Sequence, residues 1–471
     1  MAGDRQACFK RSKFRLVPVL QWFLLGVTVI DVVQKNGLVR LIYNLLFTLF
    51  FILSAPFYLW KLWRRGNWKT GFLQRFGFYG RQLESKFRQG RPIIWLHAVS
   101  VGEVNICLPI QQRLAELVPD HDWLISTTTA TGMTELQAKA APGVLKIYYP
   151  VDFGGTVKRA LRLINPRMIV LVEAEIWPNL NWQAKACGIP VCLANARLSD
   201  SSYRGYRRAS FLFSSVFASF AAVGVQAEKD LPRWVELGCR PEAAVLTGNV
   251  KFDAAPGRAP GRVDVRGLLA DLGLLPEMKI IVGGSTHPGE EKLLAEAYLK
   301  LKAEIPDLLL ILVPRHMEKA KQAAESIAGS GLTVLLRSEL PVGAAYSARP
   351  DCLVVNSTGE LLDFYAVADV VFVGKSLRVG GGQNPIEPAA LGKPVIFGSR
   401  MGNFRDVVRI LQAQEAAIPV TDGVDLTQKL RQILTDPELA RQMSRQAAVT
   451  VTKNRGSLAK TARMLAQQIE R

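Results

Sequence analysis

VVFVG, residues 370–374, precedes GGGQNPIEPAALGKP, residues 380–394, which leads into PVIFG, residues 394–398. The two short apolar runs are typical of buried strands, and the segment between them has the glycines and the Asn-Pro start of a turn followed by a helix. A strand, a helix and a second strand in this order predict a parallel pair joined by a crossover helix. This stretch therefore indicates an α/β fold built on a parallel sheet.

The same alternation of apolar runs and helical segments recurs on both sides of a Pro/Gly-rich stretch, AAPGRAPGRVDV, at 254–265. Candidate strands lie at 93–97, 123–127, 145–150, 168–173, 191–195 and 221–226, and then at 280–285, 308–314, 333–338, 352–356, 370–374 and 394–398. This pattern predicts two doubly wound, Rossmann-like domains, which we place at 80–255 and 265–471. Ligands of such sheets bind beyond the carboxyl ends of the strands, so we expect the active site in the cleft between the domains.

The N-terminal region predicts a membrane helix. LIYNLLFTLFFILSAPFYLW, residues 41–60, contains 20 residues without a charge, about the length that crosses a bilayer core. The aromatic and basic residues at its end resemble an interfacial belt on the cytoplasmic side; they are Tyr58, Trp60, Lys61, Trp63, Arg64 and Arg65. We therefore predict an extension at 1–37, a single-pass membrane anchor at 38–65 and a cytoplasmic body. A buried core helix at 41–60 is the alternative.

The net charge narrows the classes of molecule that the protein is expected to bind. The formal net charge is +19, from 59 Lys and Arg against 40 Asp and Glu. Such a field favours phosphorylated small molecules, an acidic lipid surface or nucleic acid. Nucleic acid is disfavoured, because the basic residues are spread along the chain and no RNP, KH or helix-turn-helix pattern occurs. Six cysteines without CxxC spacing indicate a reducing compartment, and no HExxH or Asp-rich cluster suggests a metal or another cofactor.

Four strand ends in the second half combine glycines, hydroxyls and charged residues. They are GGSTHPGEE (283–291), VPRHMEKA (313–320), NSTGELLDFY (356–365) and GGGQNPIEP (380–388). Glycines let a phosphate approach backbone N–H groups at helix N-termini, and Arg315 adds a bidentate phosphate donor. A single turn of this kind is better explained as a helix start, but four at one sheet edge, with Arg315 among them, favour a nucleotide or nucleotide-sugar site. No GxxxxGK[ST] occurs, so a P-loop is excluded.

In the first half, WLHAVSVGEVNICLPI (95–110) and VEAEIWPNL (172–180) place carboxylates at strand ends. Glu103 is either the last member of a Ser-x-x-Glu capping box or a general base facing the cleft. Glu173 at the end of a buried strand needs a cationic partner, which Arg197 or Lys251 could supply. A structural ion pair and a catalytic role remain open for Glu173.

Taken in order, these motifs resemble the bacterial 3-deoxy-D-manno-octulosonic acid (Kdo) transferases of lipid A biosynthesis. The similarity runs from about residue 40 to the C-terminus and is carried by WLHAVSVGE, STTTATG, EAEIWPN, NARLSDSSYRGY, GNVKFD, VPRH and GGQNPIEP. The resemblance implies a GT-B glycosyltransferase that transfers Kdo from CMP-Kdo, with inversion, to a lipid A precursor (lipid IVA) at the inner leaflet of the membrane.

The resemblance also implies roles for individual residues. Glu103 matches the family's catalytic base, and Glu173 and Lys251 match residues that stabilise the transition state. The substrate- and CMP-binding residues would be Ser285, Pro314, Arg315, Thr358, Gly359, Glu360, Gly382, Asn384, Pro385, Ile386 and Glu387. Of these, Glu387 would bind the ribose.

Two positions beside the predicted donor site depart from the family pattern. Gln383 stands where relatives commonly have histidine, and Lys375 stands where they have a second glycine after VFVG. Gln383 donates hydrogen bonds but carries no charge, whereas Lys375 could pair with a donor carboxylate or phosphate. These departures leave open another membrane-anchored GT-B transferase with a lipid acceptor and a different nucleotide-sugar donor. A non-catalytic nucleotide-binding protein is a further alternative, disfavoured by intact Glu103, Lys251 and Glu387.

Overall fold

The computed structural model describes residues 37–57, 60, 70–255, 261–274, 277–340 and 349–470. Within them the chain forms two seven-stranded sheets, one in each half, and every strand pair is parallel. The α/β class and the two Rossmann-like sheets are therefore confirmed. The predicted extension up to residue 36 and the basic end of the anchor at 61–65 lie outside the described residues.

The first sheet has the order β3-β2-β1-β4-β5-β6-β7. Its strands are β1 (Ile93–His97), β2 (Asp122–Thr127), β3 (Leu145–Tyr148), β4 (Met168–Val172), β5 (Val191–Ala196), β6 (Ala222–Val225) and β7 (Ala244–Leu246). The strand order reverses between β1 and β4, so the loops after these two strands diverge to opposite faces and open a crevice. Every residue of β1 and β4 is buried, which accounts for their apolar sequences, broken only by His97 at the end of β1.

The second sheet has the order β10-β11-β9-β8-β12-β13-β14, and its order reverses between β8 and β12. Its strands are β8 (Lys279–Thr286), β9 (Leu308–Pro314), β10 (Val334–Leu336), β11 (Cys352–Val354), β12 (Val370–Val373), β13 (Val395–Gly398) and β14 (Ala417–Val420). All twelve strands predicted from the sequence are present. The sequence missed β7 and β14, which lie at sheet edges and contain exposed residues.

Helices cover both faces of each sheet. They are α1 (Gly37–Phe57), α2 (Arg81–Gln89), α3 (Val101–Leu117), α4 (Ala130–Lys139), α5 (Gly154–Ile164), α6 (Pro178–Ala186), α7 (Asp200–Arg208), α8 (Ser210–Phe217), α9 (Leu231–Glu236), α10 (Val265–Asp271), α11 (Glu290–Lys302), α12 (Ala320–Ala328), α13 (Leu361–Val367), α14 (Ile386–Ala390), α15 (Arg405–Ala413), α16 (Gly423–Thr435), α17 (Pro437–Asn454) and α18 (Ser457–Ile469). Helix α1 is long and apolar enough to cross a membrane, as predicted for the anchor.

The last helix returns to the first half of the chain. Met464, Leu465 and Ile469 of α18 belong to the same buried cluster as Ile94 and Leu96 of β1. The side chain of Arg167, which precedes β4, also donates a hydrogen bond to the Ile469 carbonyl at 2.9 Å. Helix α18 thus completes the core of the first sheet, although the predicted range 265–471 groups it with the second half of the chain. The domain boundaries stay predictions.

We expect truncation of Leu465 to destabilise the first half of the protein although the residue lies at the far end of the chain. Leu465 is fully buried, so Leu465→Ala should lower the free energy of unfolding by about 2–5 kcal/mol. Gln467→Ala, on the exposed face of the same helix, is the matched control and should change it by less than about 0.5 kcal/mol. Denaturant titration of both variants in detergent measures the difference, and equal effects would contradict the packing described.

Candidate active site

A cavity of about 820 Å³ lies between the two halves, at the carboxyl ends of both sheets. Six residues predicted from the sequence line it: Glu103, Glu173, Lys251, Arg315, Gly382 and Asn384. They come from opposite sides of the cleft, three from each half, so the fold brings together motifs that are far apart in the sequence. The departures Lys375 and Gln383 line the same cavity.

Glu103 is held at the first turn of α3 with its carboxylate in the cleft. Its Oε2 accepts a hydrogen bond from the Val99 N–H at 2.6 Å, and its Oε1 accepts one from the Ser100 hydroxyl at 3.1 Å. Ser100 makes no side-chain cap, and Glu103 accepts from the Val99 N–H instead of the Ser100 N–H, so the two reciprocal bonds of the predicted capping box are not formed. Burial raises the pKa of Glu103, and the charge of Glu173 adds to this, while the Val99 bond opposes it. A carboxylate with a raised pKa is a stronger base.

Glu173 follows β4 and carries the charge that organises the first half of the cleft. It is only 5% exposed, and two cations lie against it. Arg197 Nε is 3.0 Å from one carboxylate oxygen, and Lys251 Nζ is 3.2 Å from the other. Both contacts are ion pairs that lack hydrogen-bond geometry. The partners that the sequence proposed for Glu173 are therefore both confirmed.

The same two cations reach across the cleft to the second half. Lys251 Nζ donates a hydrogen bond to the Asn403 carbonyl at 3.2 Å and lies 5.6 Å from the centre of the Phe404 ring. Arg197 is 3.9 Å from the Asp406 carboxylate. Sequence reasoning missed these cross-cleft partners, because GNFRD at 402–406 carries no motif that marks it.

A third carboxyl group, Glu175, lies beside Glu103 and Glu173. Its Oε2 accepts a hydrogen bond from the Trp177 indole at 2.8 Å. Burial, followed by the charge of Glu103, raises the pKa of Glu175 to about 8. Glu175 does not line the cavity, and its raised pKa favours the protonated form next to the other two carboxyl groups.

In the second half, one buried carboxylate joins the two loops at the point where the strand order reverses. Glu290, at the start of α11, accepts backbone N–H bonds from His287 at 3.0 Å, Lys375 at 2.8 Å, Ser376 at 2.9 Å and Leu377 at 3.0 Å. The side chain is fully buried. These bonds tie the loop after β8 to the loop after β12. The sequence motif contained Glu290 but gave no sign of this role, which depends on the adjacency of β8 and β12.

Lys375 has a left-handed backbone conformation, with φ of +58°. This region disfavours residues with a β-carbon, and glycine is the usual occupant. Ser285, near the end of the adjacent strand β8, is also left-handed, with φ of +51°. Among the residues that the structure describes, no carboxylate forms an ion pair with the Lys375 ammonium, which lies in the cleft. The strained backbone therefore presents to the cleft a cation that has no ion-pair partner in the described part of the chain.

The turn at 380–388 folds back onto the end of β12. The Gly382 and Gln383 N–H groups donate to the Lys375 and Gly374 carbonyls at 2.8 and 3.1 Å. Gly382 has φ of +76°, and a β-carbon there would clash with the Met401 sulfur, so the position requires glycine.

Asn384 fixes the start of α14. Its side-chain oxygen accepts from the Ile386 N–H at 3.1 Å, and its amide nitrogen donates to Glu387 Oε1 at 3.1 Å. Burial raises the pKa of Glu387, and the Asn384 bond and the charge of Arg315 lower it. The helix-start interpretation of this stretch is thus correct, and Asn384 still lines the cleft.

Several predicted residues do not line the cavity. Pro385 and Ile386 are buried beneath it, Pro314 is the buried last residue of β9, and Glu360 pairs with Arg337 at 3.6 Å. The full set outside the lining is Ser285, Pro314, Thr358, Gly359, Glu360, Pro385, Ile386 and Glu387. Their binding roles stay predictions. His287 and His316, with ring centres 5.8 Å apart, do line it, although no role had been assigned to them.

Comparison with solved structures defines the fold class. UDP-GlcNAc 2-epimerase from Neisseria meningitidis, bound to UDP-GlcNAc, superimposes with a TM-score of 0.52 at 12% identity and covers 80% of this chain and 99% of that chain. A glycosyltransferase from Rickettsia africae gives a TM-score of 0.50 at 15% identity, covering 81% and 99%. Residues 344–450 match the family model "Glycosyl transferases group 1". Two parallel sheets facing one cleft, with these structural likenesses, show the GT-B fold.

Sequence comparison identifies the family. Residues 70–254 match the model "3-Deoxy-D-manno-octulosonic-acid transferase (kdotransferase)". The 3-deoxy-D-manno-octulosonic acid transferase of Haemophilus influenzae is 30% identical over 86% of this chain and 93% of its own length, and that of Bordetella pertussis is 33% identical over 87% and 95%. The chain belongs to the 3-deoxy-D-manno-octulosonic acid transferase family, which confirms the resemblance found in the motifs.

We expect the ionisation of Glu175 to make the protein less stable as the pH rises. The folded-state pKa of about 8 lies above the ordinary value of 4.5, so the folded state retains a proton that the unfolded state loses. The contribution is fully present below pH 4.5 and is lost as the pH rises to about 8. Glu175→Gln imitates the protonated group. Denaturation midpoints at pH 5, 6.5 and 8.5 should therefore fall less steeply for the variant, and parallel curves would contradict the assignment.

Proposed function

We propose that the protein transfers Kdo from CMP-Kdo, with inversion of configuration, to a hydroxyl of the lipid A precursor lipid IVA. The observation that carries the proposal is the arrangement of charge across the cleft. A carboxylate with a raised pKa, Glu103, lies on one side, and two cations, Arg315 and Lys375, lie on the other. Family membership supports the transfer of Kdo, and the geometry supports the roles given below.

Glu103 would act as the general base. The acceptor hydroxyl oxygen forms the new bond to the anomeric carbon of Kdo while the bond from that carbon to the CMP phosphate oxygen breaks. The electron pair of the broken bond leaves with the phosphate, and the hydroxyl proton moves to the Glu103 carboxylate. The Val99 and Ser100 bonds orient that carboxylate, and attack from the side opposite the leaving group accounts for inversion.

Negative charge accumulates on the departing phosphate, so cations near it stabilise the transition state. Arg315 and Lys375 line the second half of the cavity, where the nucleotide would bind. Glu387, near the charge of Arg315, would hold the ribose. Glu173 would act indirectly, because it fixes Lys251 at the cleft wall and so places a positive charge near the reacting centre.

The acceptor carries acyl chains and phosphates, which fits an apolar helix attached to a basic protein. The helix α1 and the net charge of +19 supply both features. We therefore place the catalytic body on the cytoplasmic face of the inner membrane. Lys375 and Gln383, which differ from the family pattern, line the cleft and favour one second candidate function. In that function the protein would transfer a sugar from a different nucleotide-sugar donor to the same lipid acceptor.

We expect Glu103→Gln to lose transfer while the fold and nucleotide binding persist. A positioned base contributes about a hundred- to ten-thousandfold in rate, and glutamine keeps the shape but cannot take the proton. The assay combines CMP-Kdo generated in situ with a tetraacyl disaccharide bisphosphate, and mass spectrometry detects the product. Glu116→Gln, on the exposed part of the same helix, is the matched control and should keep full activity.

Two results would count against the proposal in different ways. Full activity of Glu103→Gln would show that Glu103 is not the general base, but it would not contradict the transfer of Kdo. No Kdo product from the wild-type chain, together with displacement of bound CMP by UDP, would instead support the alternative donor.

We expect Lys375→Gly to stabilise the protein and weaken donor binding at once. Glycine relieves the left-handed strain, which costs about 1–2 kcal/mol for other residues, so the free energy of unfolding should rise by about that amount. Loss of a charged hydrogen bond of about 1.5–3 kcal/mol should raise the KM for the donor by roughly tenfold to a hundredfold. Lys375→Ala separates the effects, because it loses the charge but keeps the strain. An unchanged KM in both variants would show that Lys375 does not bind the donor.

A further inference from the structure

Helix α1 is attached to the first half of the chain through polar side chains. The Tyr43 hydroxyl donates a hydrogen bond to Asp152 Oδ2 at 2.9 Å. The Asn179 amide nitrogen donates one to Asn44 Oδ1, also at 2.9 Å. Both partners on the body are buried, and hydrogen bonds of this kind are not made to lipid. This face of α1 therefore belongs to the water-soluble body.

Aromatic contacts extend the attachment along the helix. Phe47 and Phe51 lie edge-on to Phe153, with ring centres 5.2 and 5.1 Å apart. Near the start of the helix, the Arg40 guanidinium lies 5.5 Å from the centre of the Trp182 ring. The attached segment thus runs from residue 40 to residue 51 along one helical face.

The attachment point is a fixed part of the fold. Asp152 is completely buried, and its carboxylate accepts the N–H groups of Asn179 at 3.0 Å and Leu180 at 2.9 Å, in the first turn of α6. Tyr43 therefore binds a side chain that already caps a core helix. Release of α1 would leave this buried acceptor one hydrogen bond short, which is unfavourable.

The opposite face of α1 is apolar and exposed. Leu45, for example, is 63% exposed, and Leu53 is 72% exposed. The exposed apolar residues of the helix, which we call the apolar stripe, are Leu38, Leu41, Leu45, Leu46, Leu49, Phe50, Ile52, Leu53 and Phe57. Such a stripe is much larger than the scattered apolar residues of an ordinary protein surface, so it requires an apolar partner.

We propose that α1 lies along the surface of one leaflet, with the apolar stripe in the lipid, and does not cross the bilayer. Residues 40–51 are held by the body, and the uncharged run of the sequence ends at Trp60, so only 52–60 are available to enter the hydrocarbon beyond the attached segment. At 1.5 Å per residue a helix of that length extends about 14 Å, far short of the roughly 30 Å of a hydrocarbon core. A helix with one apolar face and one bound face matches an interfacial, monotopic arrangement. This arrangement replaces the single-pass anchor expected from the sequence.

The positive charge next to the attachment point favours lipid, rather than a second copy of the chain, as the partner that covers the apolar stripe. Helix α5 begins directly after Phe153, which contacts α1, and carries Lys158, Arg159 and Arg162 on exposed positions. Among the described residues, no carboxylate forms an ion pair with these three cations. Anionic headgroups attract such residues close to a bilayer, whereas the same basic surfaces of two copies would repel each other.

The first experiment locates the start of α1 relative to the body and needs no donor or activity, so it is independent of the proposed reaction. Gly37→Cys is made with Cys8 and Cys187 replaced by serine. A second chain keeps Cys187, an exposed thiol of the body, as the reference. Sealed membrane vesicles of both orientations are treated with a membrane-impermeant maleimide.

We expect Gly37→Cys to react in the same vesicle orientation as Cys187. Reaction in the opposite orientation would show that α1 crosses the bilayer and would overturn the proposal. Failure to react in either orientation until detergent is added would place this end inside the bilayer core and would overturn it as well.

The second experiment identifies what covers the apolar stripe. Leu45→Cys carries an environment-sensitive fluorophore, and the vesicles contain phospholipids with nitroxide-labelled acyl chains. We expect at least a twofold loss of fluorescence, while the same fluorophore on Cys187 is unaffected. Rapid disulfide formation between two Leu45→Cys chains without quenching would show that a second copy covers the stripe, and the proposal would fail.

Discussion

The charge of Glu173 is the constraint on which the cleft depends. A carboxylate that is 5% exposed would cost several kcal/mol if it stood alone, and removal of one partner from such a pair typically costs about 3–5 kcal/mol. Arg197, in the loop after β5, and Lys251, in the turn after β7, supply the positive charges that neutralise Glu173. Both cations also contact the second half of the chain. The need to neutralise Glu173 therefore also helps to hold the two sides of the cleft together.

Three of the six non-glycine residues with left-handed φ in the described part of the chain lie at the strand ends where the order of each sheet reverses. Glu173, Ser285 and Lys375 are non-glycine residues with left-handed φ values of 62°, 51° and 58°, and each lies at or just beyond a strand next to which the strand order reverses. Such conformations persist only when neighbouring interactions enforce them. For Glu173 these are the two ion pairs, and for Lys375 they include its backbone bond to Glu290. The strained residues are thereby held in one orientation before any substrate binds.

The sequence predicted the architecture well because buried parallel strands are long apolar runs. It missed β7 and β14, which contain exposed residues and do not form such runs, and it did not indicate the packing of α18, whose partner sheet is more than 200 residues away in the sequence. The motifs located Glu103, Glu173 and Lys251 correctly in the cleft. They could not reveal Glu290 or the cross-cleft contacts at 403–406, since these depend on which loops the topology places side by side. The docking of α1 depends on Asp152, which no helical pattern in α1 could have indicated.

The return of α18 to the first sheet means that the backbone passes between the two halves twice. The two passages lie against each other: Arg455 donates to the Ala255 carbonyl at 2.9 Å, and the Asp253 carboxylate accepts the N–H groups of Gly456 at 2.7 Å and Leu458 at 2.8 Å. Two adjacent connections restrict relative movement of the halves, so we expect them to open and close about this point rather than slide past each other. Asp253 itself lines the cavity, so the point about which they would move lies beside the cleft. Opening for product release would therefore widen the mouth of the site while the residues near this point, Lys251 among them, move least.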